Sequence, residues 1–454
     1  TVRWPTTIPS DVVTFDELTR RSRQSRRQPS ADLSHVKSTP CEGRTSTRNP
    51  QQLDCFINRL PNELLCTIFM MCGVVDNFFL YPRYVSRDEY PPPMLLYSRA
   101  TVLLGHVCRR WFAVTRCYPQ LWTMVDVSFP QPADVDTLKL CIRYSKGLPL
   151  TLRINGRHWT PLHLRNTDAY RQFMRLVASV SHRWVEISVV VTQTPFEPFD
   201  GMNHLTDLPV GAFPLLERAM LYFMYDYKES SRALWERFFS SPALRTIHWR
   251  GVGFRAPSPV LEQLTHVAVD RIDPADIMDF LRSSKQLEFL RVALKSDESL
   301  FAGTDDGAFI ARLSTPVDLP RMQVLMLSGM YNMVNLLDCI CVPLLRRLDL
   351  TSSGVQAHAV EGTLQRSRAQ LTMLGLRRMY KGHIDQTTML LQSLPLRHLS
   401  IFLYEPYPPH GRKEIEPFDP RPYLPPYLIL FTHNHVQADT MYWETVANVG
   451  DNAM

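Results

Sequence analysis

The sequence predicts an α/β chain: a small helical domain followed by an irregular solenoid of strand–helix repeats. Three observations carry this. From Trp184 onward one short phrase recurs nine times: an apolar residue, two others, an apolar residue, one other, an apolar residue. Segments with apolar groups at helical spacing lie between the phrases, as at Ile277-Phe280-Leu281, Leu336-Leu337-Ile340 and Leu390-Leu391-Leu394. Nearer the start, FINRLPNELLCTIFMMCGVV (Phe56 to Val75) is apolar almost all round, which implies cover on more than one side.

Composition bounds the function. The chain has 454 residues, 45% apolar and 21% charged, an ordinary globular mix. Lys and Arg number 50 against 44 Asp and Glu, and +6 is too small an excess to argue for nucleic acid by charge. Nine cysteines, an odd number, are spread through the chain, several inside apolar helical patterns. This usage points to a reducing, intracellular setting, nucleus or cytoplasm, rather than to a disulfide framework. No apolar run reaches the ~18 residues of a membrane span, so no membrane partner is expected.

Residues 1–53 are polar, poor in aliphatics, and include RRSRQSRRQPS from Arg20 to Ser30. They read as a disordered basic arm. A helical domain is expected over 54–128. Pro61 suits a first helical turn, where its missing N–H is an unpaired donor anyway, and Asn62 and Glu63 favour a helix start. Leu64, Leu65, Ile68, Phe69 and Cys72 follow, with Cys66, Met70 and Met71 between them. Residues 76–99 contain three consecutive prolines, Pro91 to Pro93, and read as an inserted loop. A second helix is expected from Ala100 to Cys117. Leu103, Leu104, Val107, Cys108, Trp111, Phe112 and Val114 mark its buried side, and Arg109, Arg110 and Arg116 its wet side. Pro119 stops it, and Leu121 with Trp122 returns large apolar groups to the core.

LPNELLCTIF, VCRRWF and PQLW, in that order, resemble the three landmarks of the F-box, including the F-box-like families expanded in fungi. The likeness spans Phe56 to Trp122 and departs from the family in spacing, because the 76–99 insertion lengthens it. Loops absorb insertions at small entropic cost, so the helices are still expected to pack. In that family a small SKP-type adaptor clasps the first helix and its neighbours and links them to a cullin and a RING subunit. The resemblance implies the non-catalytic, substrate-choosing subunit of an SCF-type ubiquitin ligase. By motif position it implies Leu60, Pro61, Leu64, Leu65, Ile68, Phe69, Val107, Trp111, Leu121 and Trp122 as the F-box set, shared between its own core and the adaptor contact.

Segment 129–183 is expected to connect the two parts, with a helix over Asp134–Lys146 and a strand over Leu148–Ile154. The repeats fill 184–403. Their phrases are Trp184-Ile187-Val189, Leu216-Ala219-Leu221, Leu244-Ile247-Trp249, Leu264-Val267-Val269, Leu287-Leu290-Val292, Met322-Leu325-Leu327, Leu345-Leu348-Leu350, Leu371-Leu374-Leu376 and Leu396-Leu399-Ile401. Steps run from 20 to 35 residues. Most fall within the ~20–29 of leucine-rich repeats, which the array resembles. The last two apolar positions of each phrase lie two apart, so on a strand both point the same way. Strand–helix units stacked in parallel give a solenoid with strands on the inner face. Prolines punctuate the strand starts, as in Pro242-Ala243-Leu244, Pro320-Arg321-Met322 and Pro343-Leu344-Leu345. The family's Asn after the strand is missing, with Met224, Val252, Ile272 and Lys295 in its place, so no Asn ladder is expected. Residues 404–454 turn proline-rich and then read YLILFTHNH, a terminal cap or tail.

Target protein is expected on the array. Tyr222, His248, Arg250, Arg291, Arg347, Arg377 and His398, with Asp270 and Asp349 among them, alternate with the inward positions and are expected to face solvent. Their basic bias suggests an acidic or phosphorylated target segment. No catalytic residue, metal or cofactor is expected. Cys339 and Cys341 are the best metal-like pair but lack further ligands at suitable spacing. His433 and His435 have no Cys or carboxylate cluster nearby, and no phosphate loop, dinucleotide glycine motif or Gly-x-Ser-x-Gly occurs. Two rivals remain: an F-box scaffold without ubiquitin transfer, and a nucleic-acid binder using the basic arm. On the adaptor reading, deleting Arg20–Arg27 leaves retention on a nucleic-acid column unchanged; on the nucleic-acid reading it abolishes retention.

Overall fold

The structure, a computed structural model, describes residues 56–71, 97–128, 130–156, 167–191, 203–223, 228–250, 254–272, 274–294, 316–328, 334–351, 357–379, 384–393, 398–406 and 420–432. The basic arm, most of the expected loop, Cys72, His433 and His435 lie outside the described residues. The chain divides into two compact units. The first holds the described residues as far as Leu148 and again from 167 to Val180; the second holds 149–156 and everything described from Ser181 on. The expected connecting segment is therefore divided between the two units.

The first unit contains helices α1 (Asn62–Met71), α2 (Tyr97–Leu104) and α3 (Arg109–Cys117), a 3-10 turn at Pro119–Trp122 and strand β1 (Met124–Ser128). Helices α4 (Pro132–Tyr144) and α5 (Thr167–Ser179) complete it. The single helix expected over Ala100–Cys117 is two helices, the first beginning inside the expected loop. Gly105 stands at the break. A Cβ there would meet Thr115 Oγ1 at 3.1 Å and the Val102 carbonyl at 3.3 Å, so the backbone approaches α3 more tightly than most side chains permit. Tight turns follow, with His106 N–H donating to the Leu103 carbonyl at 2.9 Å. Cys108 then restarts the helix: its backbone is extended, and its Sγ accepts the Trp111 N–H at 3.5 Å. At the start of α4 the Gln131 N–H donates to Asp134 Oδ2 at 3.0 Å, and Pro132 takes a first-turn position.

Among the described residues the second unit is built on eleven parallel strands: β2 (Leu150–Gly156), β3 (Trp184–Val191), β4 (Arg218–Phe223), β5 (Thr246–Arg250), β6 (His266–Ile272), β7 (Phe289–Leu294), β9 (Val324–Ser328), β11 (Arg347–Thr351), β12 (Met373–Met379), β13 (Ile401–Pro406) and β14 (Ile429–Thr432). Each pairs with the next in chain order. A separate parallel pair joins β8 (Val317–Asp318) to β10 (Ile340–Cys341). Helices α6 (Asn203–Thr206), α7 (Lys228–Phe238), α8 (Ser258–Gln263), α9 (Pro274–Ser283), α10 (Val334–Asp338), α11 (Ala357–Ser367) and α12 (Ile384–Ser393) lie between strands. Ile340, expected on a helix, stands in β10.

Register turns the repeated phrase into two continuous apolar rows. Ile187, Ala219, Ile247, Val267, Leu290, Leu325, Leu348, Leu374 and Phe402 are successive partners across the sheet. Val189, Leu221, Trp249, Val269, Val292, Leu327, Leu350, Leu376 and Tyr404 form the second row. All are buried. Helix side chains pack on this face; Trp235 of α7 stacks on Trp249 with ring centroids 4.9 Å apart. The ninth phrase is corrected by the register. Phe402 and Tyr404, not Leu399 and Ile401, continue the rows, so the phrase there is Leu399-Phe402-Tyr404. The ladder also reaches further than 184–403, because β2 precedes it and β14 follows.

Prolines at the strand starts have a local reason. Phe213-Pro214-Leu215-Leu216, Ser241-Pro242-Ala243-Leu244, Leu319-Pro320-Arg321-Met322 and Val342-Pro343-Leu344-Leu345 are four-residue turns. In each, the last N–H donates to the first carbonyl, at 3.1 to 3.4 Å. Proline presets the backbone angle such a turn needs at its second position. Between repeats the absent Asn ladder is replaced by main chain. The Glu217 carbonyl accepts the N–H groups of Arg245 and Thr246 at 2.9 and 3.0 Å. The Arg245 carbonyl accepts those of Thr265 and His266 at 2.9 and 3.1 Å. The same forked pattern continues through the carbonyls of Thr265, Glu288, Gln323, Arg346 and Thr372.

On the opposite face of the sheet His248, Arg291, Arg347 and Asp349, expected to face solvent, are buried instead. Phe289, Val324, Met373, Ile401 and Leu403 form an apolar cluster there. Beside it Asp349 is completely enclosed. Arg347 Nε and Nη2 donate to its two oxygens at 3.2 and 2.7 Å, and Arg377 Nη2 donates to Oδ2 at 2.9 Å. Burial by itself raises a carboxyl pKa, but the two guanidinium groups and their hydrogen bonds outweigh it and hold Asp349 below the ordinary carboxylate value. Gly375, its register partner, makes room: a Cβ there would lie 2.5 Å from Asp349 Oδ1.

Replacing Asp349 with Asn removes the carboxylate both arginines share and should cost about 3–5 kcal/mol in urea denaturation. Gly375→Ala should destabilise in the same direction. Because the folded-state pKa is depressed, the wild-type ion pair contributes fully above the unfolded carboxyl value of about 3.9. Its contribution is lost as pH falls through the lower folded value, so Asp349→Asn should flatten that acid limb.

Candidate functional site

Helix α1 carries two apolar faces. Leu65 and Phe69, four apart, point inward with Cys66 and are buried. Leu64 and Met71 stand a quarter-turn or more away and are 50% and 69% exposed, with half-buried Ile68 between them on the same stripe. The inward face is closed by named contacts. Phe69 and Trp111 rings lie 4.7 Å apart at 57°. Trp122 Nε1 donates to the Thr115 carbonyl at 2.6 Å, and Thr101 Oγ1 to the Leu121 carbonyl at 2.9 Å. Arg110 pins the start of α1, donating to the Leu60 carbonyl and, at 3.0 Å, to Asn62 Oδ1.

The ten residues of the F-box set thus separate by burial. Leu65, Phe69, Leu121 and Trp122 fill the unit's own core. Leu60, Ile68 and Trp111 are half-buried. Pro61, Leu64 and Val107 are exposed, Val107 at 61%. Three more exposed apolar groups were not in the set: Met71, Leu103 and Phe112. Leu103, Val107 and Phe112 were expected on the buried side of one long helix. The break at Gly105 ends the common stripe, so residues on either side of it no longer share a face. Arg116 rests over the exposed Phe112 ring at 4.0 Å.

The residues expected to meet a target are not one solvent-facing set. His248, Arg291 and Arg347 are buried, and Arg377 is half-buried with Asp349 enclosed beside it. Tyr222, Arg250 and Asp270 are successive register partners on β4, β5 and β6. His398 is exposed but precedes β13, a consequence of the misplaced ninth phrase. A second charged cluster, missed in the sequence, joins Arg153, Glu186 and Arg218. Its signal was available, since all three occupy alternate positions of β2, β3 and β4 opposite the apolar rows.

Among the described residues no group of three or more His, Cys, Asp or Glu side chains is placed to hold a metal ion. Cys339 is buried and Cys341 half-buried. Burial pushes the Cys141 thiol up to about 12 and raises Cys66 and Cys339, so these thiols stay protonated at neutral pH. Among the described residues no helix is long and apolar enough to cross a membrane. A scan against models of known protein families and a search of curated proteins both returned no match.

Leu65→Ala should cost about 2–5 kcal/mol in denaturant titrations, as buried leucines do. Leu64→Ala and Val107→Ala should stay within about 0.5 kcal/mol of wild type.

Proposed function

We propose that this chain is the substrate-recognition subunit of an SCF-type ubiquitin ligase, holding an SKP-type adaptor with its helical unit and a target protein with its repeats. It does no covalent chemistry itself. Its work is to raise the effective concentration of a target lysine near the ubiquitin-charged enzyme. One observation supports this beyond the sequence resemblance. The helical unit completes its own core with Leu65, Phe69, Leu121 and Trp122, yet leaves Leu64, Met71, Leu103, Val107 and Phe112 in water. Exposed apolar groups gathered on one small unit suit a protein contact.

The test is capture of purified SKP-type adaptor by the full chain. Leu64→Glu/Val107→Glu should lose about 2 kcal/mol or more of binding, on the order of thirty-fold, while the far-ultraviolet circular dichroism is unchanged. A Leu60→Ala/Pro61→Ala form should lose capture as well. Equal recovery of adaptor by the wild type and the double Glu variant would reject the proposal.

A further inference from the structure

The last strand of the ladder ends the core without closing it. Strand β14 reads Ile429-Leu430-Phe431-Thr432, pairs with β13 on one side, and has no neighbour on the other among the described residues. On β13 Ile401, Phe402 and Leu403 are at most 2% exposed. Their register partners on β14 are not so covered: Ile429 is 39% exposed, and Leu430 and Phe431 are half-buried. Both apolar layers of the sheet therefore run out to this edge. Repeat arrays stay soluble by ending on a polar cap, and edge strands are usually guarded by a charge, a proline or a bulge. The four residues of β14 include no charge and no proline, and their pairing with β13 is unbroken.

The open edge has a definite hydrogen-bonding pattern. The Ile429 N–H donates to the Ser400 carbonyl at 3.0 Å, toward β13. Main-chain groups alternate sides along a strand, so those of Leu430 and Thr432 point away from the sheet. The Leu428 N–H is held by the Pro425 carbonyl at 3.0 Å, and the Leu428 carbonyl shares the outward side. Such an edge complements itself about a twofold axis perpendicular to the sheet. With Leu430 on that axis, the N–H of Leu430 in each copy donates to the Leu430 carbonyl of the other, and each Thr432 N–H meets the other copy's Leu428 carbonyl. The same register sets Ile429 against Phe431 on one face and Leu430 against itself on the other, apolar on apolar.

We propose that β14 pairs antiparallel with β14 of a second copy of this chain, with Leu430 on the twofold axis. A copy is the occupant that this edge fits. One sequence supplies both the donors and the acceptors, the exposed apolar groups of the two faces meet their own kind, and no charge is present to repel a like strand or to select an unlike one. The contact is short, so the dimer belongs to the weak, concentration-dependent class. The proposal rests on the sheet alone and stands or falls apart from adaptor and target binding.

Sedimentation velocity of the full chain should show a reversible monomer–dimer equilibrium that shifts with protein concentration. Ile429→Lys sets a charge against the apolar row, and Thr432→Pro deletes an outward N–H but no bond to β13; each should raise the dissociation constant at least tenfold. Leu64→Glu/Val107→Glu should leave it unchanged. Leu430→Cys checks the register without weakening the contact. Under oxidised glutathione it should give a disulfide-linked dimer, because directly opposed Cα atoms of a hydrogen-bonded pair lie about 5.5 Å apart, within disulfide reach. Thr432→Cys should cross-link no more than wild type, since in this register Thr432 and its copy lie roughly 13 Å apart along the strands. Monomer at every concentration, an equilibrium indifferent to both Ile429→Lys and Thr432→Pro, or cross-linking at Thr432 in place of Leu430 overturns the proposal. So does a dimer that forms only once residues 433–454 are removed, which gives the edge to the chain's own tail.

Discussion

Everything in the repeat unit depends on one constraint: each strand must pair with its chain neighbour in a register that keeps the apolar rows unbroken. A parallel strand cannot satisfy its own N–H and C=O groups, so an error of one residue would leave buried donors unpaired and turn the apolar row to the wrong face. The forked carbonyls of Glu217, Arg245, Thr265, Glu288, Gln323, Arg346 and Thr372 fix this register at the entrance to β5, β6, β7, β9, β11, β12 and β13. They need no particular side chain. That is why residues as different as Glu, Arg, Thr and Gln occupy equivalent places, and why the array holds together without an Asn ladder.

Burial of part of the second face is what makes the charges there consequential. Parallel sheets are commonly covered on both sides, and here even Arg347 and Asp349 are enclosed. Charge in such a place persists only where it is neutralised and hydrogen-bonded, and Asp349 meets that condition with two arginines and a glycine beside it. The Glu186 cluster meets it incompletely. Its arginine Arg218, 42% exposed where Arg377 is 15% exposed, sets it apart from the sealed Asp349 pair.

In the helical unit the same accounting runs the other way. Apolar groups there exceed what the small core can enclose. Arg110, Thr101 and Trp122 hold the helices together through hydrogen bonds to backbone carbonyls, so the unit keeps its packing while several apolar side chains remain outside. A surface of that kind gains by being covered.

The spacing of Leu244-Ile247-Trp249 and its counterparts determined the strands, their shared face and their parallel order, because period-two alternation and a repeat length have few other physical realisations. The sequence alone also placed Leu121 and Trp122 in the core, since large apolar groups after a proline stop have nowhere else to go. It did not determine where the last phrase begins. Leu396, Leu399, Ile401, Phe402, Leu403 and Tyr404 support two frames, and only pairing with Leu374 and Leu376 selects one. Nor did it separate Leu64 from Leu65. Adjacent leucines on a helix differ by about 100°, and which faces the core was decided by where Phe69, Trp111 and the turn at Gly105 came to rest. The fate of Arg347 and Arg218 was decided in the same way: identical residues at equivalent strand positions, one sealed and one open, according to neighbours that are distant in the chain.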